Sequence, residues 1–403
     1  MNIELPYGRD TLNLHTDDRI DILTSKPINV MSNFERDLDN KLKTIKATGK
    51  VAILVPDYTR PVPTNKILKH VIKAVKTWKV DEIVAIVALG LHRACKKKEM
   101  ENIFGGLMDE IEVMNHNPDE NLVYIGTSTF GNDIYVNEVA VECDTVISIG
   151  SIEPHFFAGY SGGRKYILPG ISGRDTIRRN HSFSMIENHN ARNGVLDGNP
   201  IHEEMVEASR FSNHKYAIDV TFDRNKNITG IFCGEPIKEH IEGVRFIEKY
   251  LKLRYTGYTD IVITSNGGAP LDLNLYQTVK GISVAENIIR KNSTIIVASE
   301  CSESVGHKSF EKMLKRYTVE EFYDTMKTKD FLMDDQWQVQ ILYRILKKCE
   351  VIVVSEKLKD RFKDERLKIF EDISEAYRYA KSKYDRAKTV AVPEGPYVVV
   401  DRI

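Results

Sequence analysis

Little in this chain ties it to an oxidising compartment, a membrane or a polyanion. Five cysteines occur in 403 residues, Cys95, Cys143, Cys233, Cys301 and Cys349, an odd number, widely separated and without a Cys-x-x-Cys pair. That pattern suits a reducing cytoplasm rather than a disulfide framework. Long apolar runs are missing as well: Ile83 to Leu91, among the best, is less than half of the roughly 20 residues a membrane span needs. Met1 to Gly8 leads into an acidic and polar stretch, without the basic start and apolar segment of a secretory signal, so a cytoplasmic protein is expected. An excess of one charge is absent too. The 57 basic and 58 acidic residues leave a net charge of -1, so neither nucleic acid nor a membrane surface is an expected partner. Lys96, Lys97 and Lys98 are the only compact basic run and read as a solvated helix start. No Gly-x-Gly-x-x-Gly follows the first strands, and Arg164 stands where a Walker A loop requires its last glycine before Lys165.

What is present is ordinary globular material, 42% hydrophobic and 29% charged, enough for a substantial core and two domains. Short β-branched runs recur between helix-like stretches: Val51 to Val55, Ile83 to Ala88, Val146 to Ile149, Ile261 to Thr264, Thr294 to Ala298, Val351 to Val354 and Thr389 to Val392. This alternation predicts an α/β fold with mainly parallel sheets. Between the first two runs, Ile67, Leu68, Val71, Ile72 and Val75 form one stripe of a helix starting at Pro63 and Thr64, with His70 off the stripe. An amphipathic helix from Pro236 to Leu253 precedes a boundary placed near Gly257. Two α/β lobes, 1–257 and 258–403, with an active-site cleft between them, are the expected architecture.

Ligands of open α/β sheets bind at the carboxyl ends of the strands, where loops and helix N-termini face one crevice. Four loops qualify. The first holds Asp57, Tyr58, Thr59 and Arg60 among prolines, the second Gly90-Leu91-His92-Arg93, the third Gly150 to Lys165, and the fourth Ser265 to Asp272, leading to Tyr276, Gln277 and Lys280. Each alone has a plain structural explanation: Asp57 with Arg60 as a turn-stabilising ion pair, His92 as a hydrogen-bonded structural histidine, Tyr276 and Gln277 as a helix start. Together, histidine, lysine and arginine behind successive strands favour a joint function. The turn at Ser161 to Gly163 is expected to expose backbone donors to a phosphate.

The wording of these loops, Asp-x-Thr-Arg-Pro at Asp57 to Pro61, Gly-x-His-Arg at Gly90 to Arg93 and His-x-Phe-x-Gly-Tyr-Ser-Gly-Gly-x-Lys at His155 to Lys165, resembles the nickel-pincer lactate racemase family. The match continues through Leu168-Pro169-Gly170, Arg179-Asn180-His181, Asn199-Pro200-Ile201-His202-Glu203 and Tyr276-Gln277-x-x-Lys280. The resemblance implies a nickel-containing cofactor, pyridinium-3,5-bisthiocarboxylic acid mononucleotide, attached at Lys165, with His181 as the protein ligand to the metal. It also implies that Asp57, Tyr58, Thr59, Arg60, Gln277 and Lys280 line the cofactor pocket. Arg60, Tyr276 and Lys280 would hold the substrate, and His92 and His155 would be an acid/base pair. Proteins that build the cofactor would be partners. Two departures stand out: Arg93-Ala94-Cys95-Lys96, where close relatives carry a proline and a hydroxyl residue, and Asn117 after His116, which reads as structural.

Such residues suit inversion of a 2-hydroxy acid. Removing the carbon-bound proton would place negative charge beside a carboxylate, whereas hydride removal avoids it. Imidazoles can take and return the hydroxyl proton near neutral pH, and an arginine can grip the carboxylate with two hydrogen bonds. The expected function is therefore racemisation or epimerisation of a lactate-like 2-hydroxy acid. Its alternatives are the same chemistry on a larger acid, such as malate or a sugar acid, and a non-catalytic nucleotide or organic-acid binding protein on the same fold.

Overall fold

In the computed structural model, which describes residues 1–331 and 333–403, the seven β-branched runs all become strands of two six-stranded sheets. The first sheet runs, edge to edge, Ile228–Gly234, His214–Phe222, Thr145–Ser151, Gly49–Pro56, Val80–Ala88 and Glu112–Asn115. All neighbours are parallel except the antiparallel pair at the Ile228–Gly234 edge. The second sheet is parallel throughout, in the order Leu367–Phe370, Cys349–Val354, Ile289–Ala298, Thr259–Ser265, Thr389–Val392 and Asp21–Ile22. Strands covered on both faces need apolar residues at successive positions, which is why Val51 to Val55 and Val351 to Val354 read as continuous runs.

Helix Thr64–Val75 buries the stripe foreseen for it, and Lys97–Phe104 starts at the lysine run. His70 is half-buried, with Nδ1 at 2.7 Å from Asp39 Oδ1. Helix Pro200–Phe211 begins on Asn199, whose side chain accepts from the Ile201 and His202 amides; proline at the first helical position has its φ already set and no amide left over.

One apolar cluster joins the lobes, running from Leu54 and Ile86 under the first sheet to Val262, Ile295 and Val351 under the second. Polar ties reinforce it at one rim of the cleft. Arg174 and Arg178 donate to Asp334 at 2.8 and 2.9 Å, the Phe183 amide donates to the Asp330 carbonyl at 2.9 Å, and Arg344 reaches the Ile186 carbonyl at 2.9 Å. The N-terminal residues do not stay with the lobe that follows them. Strand Asp21–Ile22 pairs with Thr389–Val392, and the hairpin Asn2–Tyr7 with Asp10–His15 packs Ile3, Leu5 and Leu14 against Ile261, Ile296 and Ile352. Division near Gly257 thus separates the two sheets only for the chain after that segment; a two-residue strand has too short a pattern to announce its sheet.

Buried Glu286 pairs with Arg344, Nε to Oε1 2.8 Å and Nη2 to Oε2 2.9 Å, and Arg192 lies 3.5 Å from it. Removing one partner of a buried pair strands the other charge. Arg344→Met is expected to cost about 3 kcal/mol in urea unfolding, and Glu286→Gln combined with it should recover part of that loss.

Candidate active site

The chain passes from Gly49–Pro56 to Val80–Ala88 on one side and later to Thr145–Ser151 on the other. The loops leaving Pro56 and Ser151 therefore diverge and open a crevice between them. In the first loop the Thr59 amide and hydroxyl donate to Asp57 Oδ1 at 2.8 and 2.5 Å, closing a tight turn. Buried Asp57 uses its other oxygen to accept from His92 Nδ1 at 2.5 Å. Burial disfavours the Asp57 carboxylate, but the hydrogen bond and charge of His92, with Arg60 and the Thr59 hydroxyl, outweigh it and hold the group well below the usual carboxylate range. An ionised Asp57 only accepts, so the proton shared with it sits on His92 Nδ1, and in the neutral ring Nε2 is the acceptor.

His155 is arranged the other way round. A two-residue ladder, Pro154–His155 with Gly159–Tyr160, turns the loop so that the Ala158 amide donates to His155 Nδ1 at 3.2 Å. A neutral His155 therefore carries its proton on Nε2. Burial first, then the charges of Lys165, Lys280 and Arg60, push its pKa well below the ordinary value. The same cations act on one another: burial, Arg60, Arg164 and Lys280 lower Lys165 far below a normal lysine, and burial with Arg60 brings Lys280 down to about 7 against the pull of Glu153 and Asp57. Lys280 comes from the second lobe, on helix Leu275–Ser283, which Asn274 caps by accepting the Gln277 amide at 3.0 Å.

His181 ends the helix Arg174–Asn180 and is buried edge-to-face between Phe157 and Trp337, ring centroids 5.0 and 5.1 Å away. Burial and Lys165 bring it down to about 3, so it is a neutral imidazole, and its Nδ1 is buried without a hydrogen-bond partner. Among the described residues no three His, Cys, Asp or Glu side chains gather as a metal site, so a metal ion here would depend on ligands brought with it.

Asp57, Arg60, His92, His155, Lys165, His181 and Lys280 thus belong to one neighbourhood. Other expected residues have different engagements. The exposed Tyr58 ring lies under Arg93 at 4.3 Å, and Arg93 is held by Glu99. Tyr276 stacks on His307 at 3.9 Å, with its hydroxyl toward Asp335, and Gln277 has a buried Oε1 without a partner. The Ser161 to Gly163 turn does not present its amides as foreseen: Ser161 donates to the Glu153 carbonyl at 2.9 Å and Gly163 to Asp219 Oδ2 at 2.6 Å. A buried carboxylate 56 residues further on, invisible to a local reading, has taken that donor. Buried His116 bonds the Ser172 carbonyl through Nε2 at 2.9 Å. Trp337, against His181, escaped sequence reasoning because nothing around it resembles a motif.

Residues 12–194 match the lactate racemase N-terminal domain and residues 256–400 the lactate racemase C-terminal domain. The lactate racemase of Thermoanaerobacterium thermosaccharolyticum is 36% identical over 99% of both chains, and that of Lactiplantibacillus plantarum 34% over 99% of both. The chain belongs to the lactate racemase family. It is accordingly an isomerase of the racemase class. The solved apoprotein of the T. thermosaccharolyticum lactate racemase superposes with a TM-score of 0.91 at 33% identity, over 99% of this chain and 100% of that one. A Thermotoga maritima protein at 16% identity shares the fold, with a TM-score of 0.72 over 94% of this chain. Among the described residues of this family member no helix is long and apolar enough to cross a membrane.

The depressed Lys280 has a measurable consequence. Its folded value near 7 lies below the unfolded value of about 10.4, so between these the unfolded chain binds more protons and folding stability rises with pH. Below pH 7 both states are charged and the contribution is flat. In Lys280→Met apoprotein, urea stability measured at pH 7 and pH 9.5 should rise less, or fall more, than in wild type.

Proposed function

We propose that this family member interconverts the enantiomers of a short 2-hydroxy acid, lactate first, using a nickel-pincer pyridinium-3,5-bisthiocarboxylic acid mononucleotide attached at Lys165 and ligated by His181. The residues fit such a group. His181 offers a neutral buried nitrogen that no described residue satisfies, a situation costing about 1–3 kcal/mol if left so. Lys165, among other cations, is held toward its free-amine form, the form able to make a covalent bond. When bound, the group supplies a reversible hydride acceptor.

The observation that carries the reading is the opposed hydrogen bonding of two histidines around one cationic pocket. His92, backed by ionised Asp57, presents a free Nε2 and takes the hydroxyl proton of one enantiomer. His155 faces a harder task, because protonation sets Nδ1–H against the Ala158 amide and adds charge beside Lys165, Lys280 and Arg60. It accepts a proton readily only after the substrate carboxylate has joined those cations, so substrate binding and proton transfer are coupled. Arg60 grips that carboxylate bidentately, and Lys280 faces the oxygen that becomes a ketone. Trp337 and Phe157 keep water from His181. Proteins that make the cofactor are the implied partners, and a larger 2-hydroxy acid, such as malate or a sugar acid, would meet the same groups.

Protein produced together with cofactor-making enzymes should show an intact-mass adduct on Lys165, bound nickel, and inversion of at least one member of a panel of 2-hydroxy acids read by chiral chromatography. Absence of adduct, nickel and turnover together would overturn the reading. Lys165→Ala should lose the adduct. His155→Ala should keep nickel and lose two to four orders of magnitude in turnover, roughly what general acid/base catalysis supplies. Asp57→Asn should lose a comparable factor while nickel binding is unchanged, since an amide no longer enforces the His92 tautomer.

A further inference from the structure

Between His155 and Lys165 the motif leaves three positions open, and Arg164 fills the last of them. Its side chain is fully buried, and among the described residues no carboxylate lies within ion-pair distance of it. Burial brings its pKa down to about 9, so it is charged at neutral pH. A buried guanidinium is tolerated only if its donors are used, and here they are used on its own loop. Nη2 donates to the Ala158 and Tyr160 carbonyls at 3.1 and 2.8 Å, and Nη1 to those of Ser161 and Gly162 at 3.2 and 3.0 Å. Nε donates to His202 Nδ1 at 3.0 Å, and His240 Nε2 lies 2.7 Å from Nη1. The loop that carries the proton-transfer histidine at one end and the lysine at the other is thus wrapped around a cation.

We propose that Arg164 is a positioning residue: by drawing the carbonyl dipoles of Ala158, Tyr160, Ser161 and Gly162 onto one planar fork, it fixes the separation and attitude of His155 and Lys165. Lysine could not do this, because three donors on a flexible stem do not match a fan of carbonyls in one plane. The surrounding layer fits the task. Asp219 holds the Gly163 amide from the other side of the turn, and Glu239, which burial beside Asp219 keeps protonated, completes that carboxyl pair. Gly162 and Gly163 are required by the same packing: a Cβ on Gly162 would meet Asp219 Oδ2 at 2.5 Å, and one on Gly163 the Pro236 carbonyl at 2.9 Å. The Ala158 amide that fixes the His155 tautomer belongs to a peptide run clamped by the same guanidinium. The catalytic meaning of this device rests on the proposed function; the device itself is a property of the apoprotein.

Hydrogen–deuterium exchange on the full-length apoprotein tests it, comparing wild type with Arg164→Lys and Arg164→Ala, the latter with and without methylguanidinium. Both variants should exchange the 156–166 amides about tenfold faster or more, matching a loss of about 1.4 kcal/mol in local opening. The strands Gly49–Pro56 and Thr145–Ser151 should remain protected. Added methylguanidinium should restore protection in Arg164→Ala and leave wild type unchanged. Wild-type protection in Arg164→Lys overturns the proposal, since a point charge would then suffice. So does a uniform loss of protection across loop and strands without rescue, which marks a core filler. Should Arg164→Ala prove too unstable to isolate, Arg164→Lys alone decides between the first two outcomes. In protein co-produced with the cofactor-making enzymes, the adduct on Lys165 should fall in Arg164→Lys. An adduct missing from wild type as well would count against the proposed function and leave the exchange result standing.

Discussion

Like charges held together in a dry cleft must lose protons, find counter-charge or come apart. Arg60, Lys165 and Lys280 face each other and two imidazoles at the meeting of the lobes, with Asp57 and Glu153 opposing them. At an effective dielectric of about 20, two unit charges 4 Å apart repel by about 4 kcal/mol, far more than in water. Burial and these neighbours hold both lysines toward their free-amine forms. The same surroundings hold His155 and His181 toward neutral imidazole.

The fold maintains the crowding by fastening each charge from behind. Asp57 is pinned by Thr59 before it pins His92, the His155 loop is wound round Arg164, and Lys280 rides a helix capped by Asn274. Ion pairs of Arg174 and Arg178 with Asp334, and of Arg192 with Glu286, keep the second lobe's contribution in reach of the first's. Apolar material shared between the lobes does the rest, so the cleft is a seam in one core more than a gap between two bodies.

How much of this was legible depended on range. β-branched runs and an apolar stripe are local patterns; the strands and the Thr64–Val75 helix read from them formed where foreseen, whereas the helix expected to reach Leu253 ends at Leu251 and gives way to a short strand. The site loops were legible because a parallel sheet delivers its strand ends to one side, so Asp57, His92 and His155 needed only the strand assignments. What stayed hidden lies far apart in sequence: Asp219 taking the Gly163 amide, Trp337 closing on His181, Asp335 and His307 holding Tyr276. Hydrogen-bond direction was hidden for the same reason. Nothing in the letters of His92 and His155 says that one ring is backed by a carboxylate and the other by an amide. Arg164 was legible only as a mismatch to another motif, and its use became clear once its carbonyls were counted.

The strand Asp21–Ile22 takes its place beside Thr389–Val392, at the far end of the chain. A ribosome finishing that partner must add about 370 more residues, on the order of 20–70 s at ordinary synthesis rates. Through that interval the opening hairpin, with Ile3, Leu5 and Leu14 bound for a sheet that does not yet exist, waits with its apolar face unburied. The first sheet can close meanwhile, since its strands are all in hand by Gly234. The nascent chain therefore carries an early hairpin as cargo for a sheet made much later, and assembly of that sheet depends on a segment exposed long before its partners exist.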